Sequence, residues 1–352
     1  MAFTVNESVI AFAKHVMTLA YVGCKTAVFN DPTKKVYTMH AKTTRIREIQ
    51  TGGAGDYTGK YEAVGGADSV TWKDYQANVD RFKQLCLDIV DEMATYEAGM
   101  SPSIIEATKD FINRVMAGEI DAYSIASWFS QVPVENVLAS SDHADKNSFE
   151  ILDEISKAQL SAGVDLDKEV IVFINPDRYF AMRKEIIANN GLANGAVLSK
   201  RDRNINLGVE DMEALSISTD VIRYNNFTLI PMPADRMKSA IVLYDGLTDG
   251  QTAGGWAPDA DAKDIEMLAM PIDSGFMDVK YMVLNFFVPL MAMGMNTNAQ
   301  FDKIINKVLG DVVIKEAGVN QKGDNFEVDF RCIYNAELFD IKKKTVFAVV
   351  GE

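Results

Sequence analysis

Three cysteines and three histidines in 352 residues leave little material for metal or thiol chemistry. Cys24, Cys86 and Cys332 are odd in number and widely spaced, so they make neither a disulfide framework nor a zinc-ligand run, and they fit a reducing compartment. His15, His40 and His143 fall in no metal-ligand spacing of the H-E-x-x-H kind, and no G-x-S-x-G elbow is present. Positive charge is scarce as well: 35 Lys and Arg stand against 50 Asp and Glu, a net of −15. That balance excludes a general nucleic-acid binder, which needs cations clustered on one face to meet phosphates. No long hydrophobic run occurs. The most apolar stretch, YMVLNFFVPLMAMGM at residues 281–295, is broken by Asn285 and Pro289. It falls short of the ~20 apolar residues of a spanning helix and reads as buried core. The opening MAFTVNESVIAFAKHVM lacks the apolar core and small-residue cleavage site of a secretory signal. The expectation is a soluble chain made in the cytoplasm, with no membrane partner, no metal and no cofactor.

What is present is an ordinary folded composition, 48% hydrophobic and 24% charged, ample for a sizeable core. The charge is uneven. Residues 1–50 hold seven Lys and Arg against Glu7, Asp31 and Glu48, a local net of +4 that leaves −19 for the rest. A basic arm on an acidic body suits attraction between copies of one chain.

The pattern along the chain predicts two segments, far apart in sequence, that belong to one device. Residues 38–79 read as a long hairpin: VYTMHAKTTRIREI alternates unevenly, six glycines between Gly52 and Gly66 make the tip, and a return strand begins near Ser69 with Val70, Trp72 and Tyr75. Leu85, Leu87 and Ile89 then alternate with polar residues as a strand. A long helix follows, opened by Ser101-Pro102 and stopped by Pro133, with Ile112, Met116, Ile120 and Tyr123 at helical spacing. The middle alternates helix (148–160, 176–188) with strand (169–174, 220–224, 227–232, 239–244, 264–270), which predicts a separate α+β unit. Residues 320–350 read as paired strands that close the chain, so the first unit is built from both ends.

Candidate chemistry reduces to structure. GGAGD at residues 52–56 has strands on either side and no following G-K-[ST], so it is a hairpin tip and not a phosphate loop. Asp259, Asp261 and Asp264 lack the glycine and terminal Glu of a calcium loop and make a solvated acidic loop. Asp88, Asp91 and Glu92 sit beside Arg81 and Lys83 as structural ion pairs. The 17 methionines are adaptable core fillers.

Four stretches resemble the major capsid proteins of tailed bacteriophages with the Hong Kong 97-like fold. They are TTRIREIQTGGAGDY (43–57), TWKDYQANVDRFKQLCLDIVDE (71–92), FINRVMAGEIDAYSIASW (111–128) and NQKGDNFEVDFRCIYNAELF (320–339). The resemblance runs along the whole chain as a pattern, with Asn335 where many relatives have histidine and Phe82 where a small residue is common. It implies an α+β fold in five segments: an N-terminal arm (1–37), an extended hairpin loop (38–79), a peripheral domain with a spine helix (80–144), an inserted axial domain (145–318) and closing peripheral strands (319–352). It also implies a structural role and no enzyme. Hexamers and pentamers would tile an icosahedral head around double-stranded DNA, with scaffolding, portal and decoration proteins as further partners and the virion as destination. The expected subunit-interface residues are Lys42, Arg45, Arg47, Asp56, Tyr57, Lys60, Trp72, Tyr75, Asp80, Arg81 and Arg331. Trp72 and Tyr75 would anchor the contact, and the cations would meet acidic patches on a neighbour. Some members join subunits by a Lys–Asn isopeptide bond, for which Lys60 and Asn335 stand in suitable segments, although no residue pattern here favours reactivity.

Three other readings stay open at this level. An encapsulin-like compartment shares the fold and differs in its contents. An α/β enzyme would place catalysis in the middle unit, where no catalytic motif is found. A binding module leaves the long hairpin unexplained.

Overall fold

The computed structural model describes residues 23–30, 35–37, 42–50, 69–88, 107–108, 110–143, 146–164, 167–188, 196–205, 215–289, 318–320 and 325–351. In chain order the strands are β1 (Lys35–Tyr37), β2 (Thr43–Gln50), β3 (Ser69–Gln76), β4 (Val79–Asp88), β5 (Val137–Ala139), β6 (Val170–Ile174), β7 (Val197–Ile205), β8 (Leu215–Tyr224), β9 (Phe227–Pro231), β10 (Ile241–Leu243), β11 (Trp256–Pro258), β12 (Ile265–Pro271), β13 (Gly275–Pro289), β14 (Gly318–Asn320), β15 (Asn325–Leu338) and β16 (Phe347–Val350). The helices are α1 (Ala117–Ser130), α2 (Ser148–Ser161) and α3 (Pro176–Ala188).

The hairpin is present. β2 and β3 pair antiparallel from Thr43↔Gln76 to Gln50↔Ser69, and β1 adds a third strand to β2. The strand expected at Leu85–Ile89 begins earlier, at Val79, because β4 pairs with β15 from Val79↔Tyr334 to Asp88↔Asn325. Chain segments some 250 positions apart therefore lie side by side in one sheet. That sheet runs β14-β13-β15-β4.

β15 shows why this sheet has an inside. Val328, Phe330, Cys332, Tyr334, Ala336 and Leu338 alternate at period two and are all buried. They pack against α1, which presents Ile120, Ile125 and Trp128 to the same cluster. A widened, π-type stretch, Phe111–Met116, leads into α1 without a break. Phe111 stands edge-on to Phe330 at 5.4 Å and Tyr123 edge-on to Tyr334 at 5.2 Å. Gly118 does not end the helix. A side chain there would lie 3.3 Å from the Arg236 guanidinium, so glycine lets that arginine cross the helix. The expected start at Ser101-Pro102 lies outside the described residues. Gln131 caps the helix, one residue pair before Pro133.

The second large sheet has the order β5-β16-β12-β6-β9-β8-β7. Its central strand β6, VIVFI, is wholly buried, and its two faces go to different cores. Val170, Val172 and Ile174 meet α2 and α3, while Ile171 and Phe173 face the spine helix. A reciprocal Asn147–Glu150 capping box opens α2, and Asn175 accepts from the Arg178 amide at 3.0 Å to open α3. Asn225, at φ 52°, makes the tight turn from β8 to β9, a backbone conformation asparagine tolerates.

Three expectations need correction. The middle unit is not separate: Trp128 of the spine stacks on Phe173 of β6 at 6.0 Å and meets Phe29 at a tilt at 5.0 Å, so one apolar cluster joins both sheets. The segment 145–318 does not stay together, because β13, from the apolar run, pairs along its length with β15 and lies in the first sheet. The closing strands are not paired with each other. β16 inserts between β12 and β5, since Phe347 and Val349 complete one core while Val346 and Ala348 complete the other.

Candidate functional site

The hairpin has two unlike faces. Facing the body, Thr44 and Ile46 are buried, and Tyr75 and Lys73 are half-buried. The Thr44 hydroxyl bonds the carboxylate of Asp278, and Tyr75 stands edge-on to Phe276 at 5.1 Å, which in turn stacks on Phe339. Lys73 pairs with Asp340, and the Asn335 side-chain amide donates to the Gln76 carbonyl at 3.0 Å. The Ala77 amide donates to the Lys42 carbonyl at 2.7 Å and closes the ladder. The opposite face carries Arg45, Arg47, Trp72 and Asp74, all exposed. At its distal end Val70 is 57% exposed and Trp72 52%. The base is thus fastened to its own subunit, while the described distal part presents an aromatic, an aliphatic and an arginine to solvent.

The expected interface residues divide on this geometry. Arg47 and Trp72 lie opposite each other in the register, on the outer face. Arg45 is also on that face but is engaged by Asp74, with Nε and Nη2 donating at 2.5 and 2.7 Å. Tyr75 faces the body: odd positions of β3 turn inward, and its half-buried ring packs on Phe276. Asp80, Lys42 and Arg331 form one group, with Lys42 Nζ 2.6 Å from Asp80 and Arg331 Nε donating to Asp80 at 2.7 Å. The hydrogen bonds from Arg331, and then Lys42, hold the Asp80 carboxyl well below the usual carboxylate range. These three tie hairpin to sheet within the subunit, and Lys42 stays more than half exposed. Asp56, Tyr57 and Lys60 lie outside the described residues.

Arg81 is engaged within its own subunit. Its guanidinium is 2.8 Å from Glu119 Oε1 and donates to the carbonyls of Tyr244 at 2.7 Å and Gly255 at 2.9 Å. It is committed inside the subunit to the spine helix and the β10–β11 loop. Glu119 also accepts from the Tyr334 hydroxyl at 2.7 Å, and burial together with that carboxylate pushes the Tyr334 phenol far up. Two residues on, Asp121 is fully buried. Its carboxylate accepts from the Lys25 and Thr26 amides at 3.1 and 3.0 Å, from the Thr26 hydroxyl at 2.7 Å and from Arg236 at 3.1 Å. GEID in α1 is therefore a double brace, one carboxylate to each side of the helix. The sequence offered a signal for these two roles: acidic residues at helix positions flanked by buried Ile120 and Ala122 must find cations inside.

The remaining candidates behave as structure. Asp259 accepts from the Asp261 amide at 3.1 Å and Asp264 pairs with Lys238. Among the described residues no group of His, Cys, Asp and Glu is placed to hold a metal ion, and no helix is long and apolar enough to cross a membrane. Met267 and Met270 are core residues. His143 lies 3.4 Å from Glu154. The amide of Asn335, considered for a covalent link, is buried and occupied by the hairpin.

No family model matches the chain, and no curated protein matches it. Solved structures do. A Mycobacterium phage Ogopogo structure aligns at TM-score 0.44 and 8% identity, covering 94% of this chain and 92% of that one. The capsid structure of Staphylococcus phage Andhra aligns at 0.43 and 10%, covering 92% and 84%. The holo-SrpI encapsulin complex from Synechococcus elongatus aligns at 0.43 and 9%, covering 89% and 83%.

Proposed function

We propose that this chain is the structural subunit of a closed protein shell, a major capsid protein of the Hong Kong 97-like kind that self-assembles as hexamers and pentamers. One observation carries the reading: a hairpin fastened at its base leaves Val70, Trp72 and Arg47 exposed on its outer face, away from the described body of its own subunit. An exposed strand pair with apolar side chains is a liability in a free monomer and an anchor in an assembly. Burying that surface across a subunit boundary contributes about 25 cal/mol per Å² before association costs. The chain's layout supports the same reading, with a hairpin, a spine helix across a sheet made from both chain ends, and an α+β stretch packed on the same apolar cluster. The role is structural and not enzymatic. The contents are double-stranded DNA, held without sequence-specific contacts. Assembly takes place in a host cytoplasm, and the assembled shell belongs to the virion. Scaffolding and portal proteins are the further partners of this reading.

Electron microscopy of the overexpressed chain tests it. Closed shells or hexameric rings are expected, and a dispersed monomer under all salt conditions overturns it. The contents of purified particles then separate a viral head, filled with DNA, from an encapsulin-like compartment holding protein cargo.

A further inference from the structure

Two exposed surfaces of opposite charge remain outside the hairpin. The first is the loop between β10 and β11. Leu247 stands at its tip, 87% exposed. The loop is nonetheless ordered: the Asp245 carboxylate accepts from the Leu247 and Thr248 amides at 2.8 Å and from the Thr248 hydroxyl at 2.5 Å. Its base is closed by the Tyr244 amide donating to the Gly255 carbonyl at 2.9 Å, and Arg81 grips the carbonyls of both residues. A preformed loop that holds an apolar side chain in water loses little conformational freedom on docking. Asp249 gives the same tip an exposed negative charge.

The second surface is the turn Asp340–Thr345 between β15 and β16. Ile341 is exposed, as is Ile272, which precedes the Asp273 that pairs with Lys342, and Lys342, Lys343 and Lys344 follow Ile341 in sequence. Lysines outnumber carboxylates here. Asp273 is shared by Lys168 and Lys342 at 3.2 Å each, and Asp340 by Lys73 and Lys343. Lys344 is exposed and meets no carboxylate among the described residues. In a chain of net −15, this is an apolar spot in a positive surround.

We propose that the tip of the β10–β11 loop of one copy docks on the Asp340–Thr345 turn of another, with Leu247 against Ile341 and Ile272 and with Asp249 facing Lys344. The proposal rests on the shell reading and names one of its subunit contacts. The two surfaces differ, so the contact is heterologous and propagates from copy to copy until symmetry closes it. Charge complementarity fixes which surface meets which, and the leucine supplies the desolvated centre.

A charge-reversal cycle tests it. Neither Asp249 nor Lys344 has a side-chain partner among the described residues, so Asp249→Lys and Lys344→Glu leave the subunit folded. Each single reversal is expected to cut particle yield, read by sedimentation and electron microscopy, by about tenfold, and the double reversal to restore it. Independently, Leu247→Cys with Ile341→Cys in a Cys86→Ser background should give a ladder of linked chains on oxidation, with no ladder from either cysteine alone. Undiminished single variants, an unrescued double, or particles that give only monomer after oxidation overturn the contact and leave the shell reading standing. A wild-type chain that never assembles overturns both.

Discussion

Arg81 and Glu119 meet at 2.8 Å, one on the edge strand β4 and the other buried on the spine helix, and Tyr334 of β15 donates to the same carboxylate. Three elements from the front, middle and back of the chain thus share one ion pair. Removing one partner leaves a desolvated charge behind, so Glu119→Ala is expected to cost about 3 kcal/mol. Tyr334→Phe removes a single hydrogen bond to a charged group, about 1.5 kcal/mol. Denaturant unfolding of the unassembled chain measures both. A cycle through Arg81→Ala should show strong coupling, because the side chains act as a unit.

Asp121 makes a parallel prediction with a local readout. Its carboxylate receives the Lys25 and Thr26 amides, and the Phe29 ring that follows packs on Trp128. In Asp121→Ala these donors and Arg236 lose their acceptor, at a cost of about 3 kcal/mol, and the Lys25–Phe29 turn detaches. Limited proteolysis should then cut first near residues 25–30, ahead of any cleavage in the wild type. Simultaneous loss of all fragments would show instead that this turn melts only with the whole fold.

How much of this was legible in the sequence depends on whether neighbours in space were neighbours in pattern. The return strand at Ser69, helices α2 and α3 and strand β6 follow from local periodicity and caps, and all stand where the pattern puts them. β13 did not reveal its place. A run apolar on both faces carries no sign of which sheet owns it, and only pairing with β15 decides. β16 is four residues long, and alternation over so short a run does not name a partner. At the candidate site, the outer face of the hairpin was half legible. Trp72 and Tyr75 both look like anchors, yet they are three positions apart on a period-two strand and must point to opposite faces. The partners of Arg81, Glu119 and two loop carbonyls, were not legible because tertiary contact alone sets them.

That opposition within β3 predicts two different phenotypes from two aromatic substitutions. Tyr75→Ala removes the edge contact with Phe276 and the apolar surface buried there, so the subunit should lose about 2–3 kcal/mol of stability. Trp72→Ala removes a side chain 52% exposed, and unfolding of the isolated chain should shift by less than about 0.5 kcal/mol. Assembly should report the reverse emphasis: Trp72→Ala and Arg47→Glu are expected to lower shell yield at every salt concentration tried, although their subunits fold normally. Wild-type assembly by both variants would remove the hairpin's outer face from the subunit contact.

The hairpin base also carries a pH signature whose sign is fixed by Asp340. Hydrogen bonds from Lys343 and Lys73 hold its carboxyl down to about 2, below the ~3.9 of an unfolded aspartate. Between these values the unfolded or detached chain binds more protons than the docked one, so the tie strengthens as pH rises through that window. It is complete above about pH 4 and is lost as pH falls through about 2. Asp80, held low by Arg331 and Lys42, acts in the same direction at the other side of the base. Amide exchange in Ser69–Gln76 should therefore be flat from neutrality to about pH 4, after correction for intrinsic rates, and rise below it. Asp340→Asn should exchange faster than wild type at neutral pH and converge with it near pH 2. A constant gap between the two down to that pH would mean that the carboxylate does not fasten the hairpin to the body.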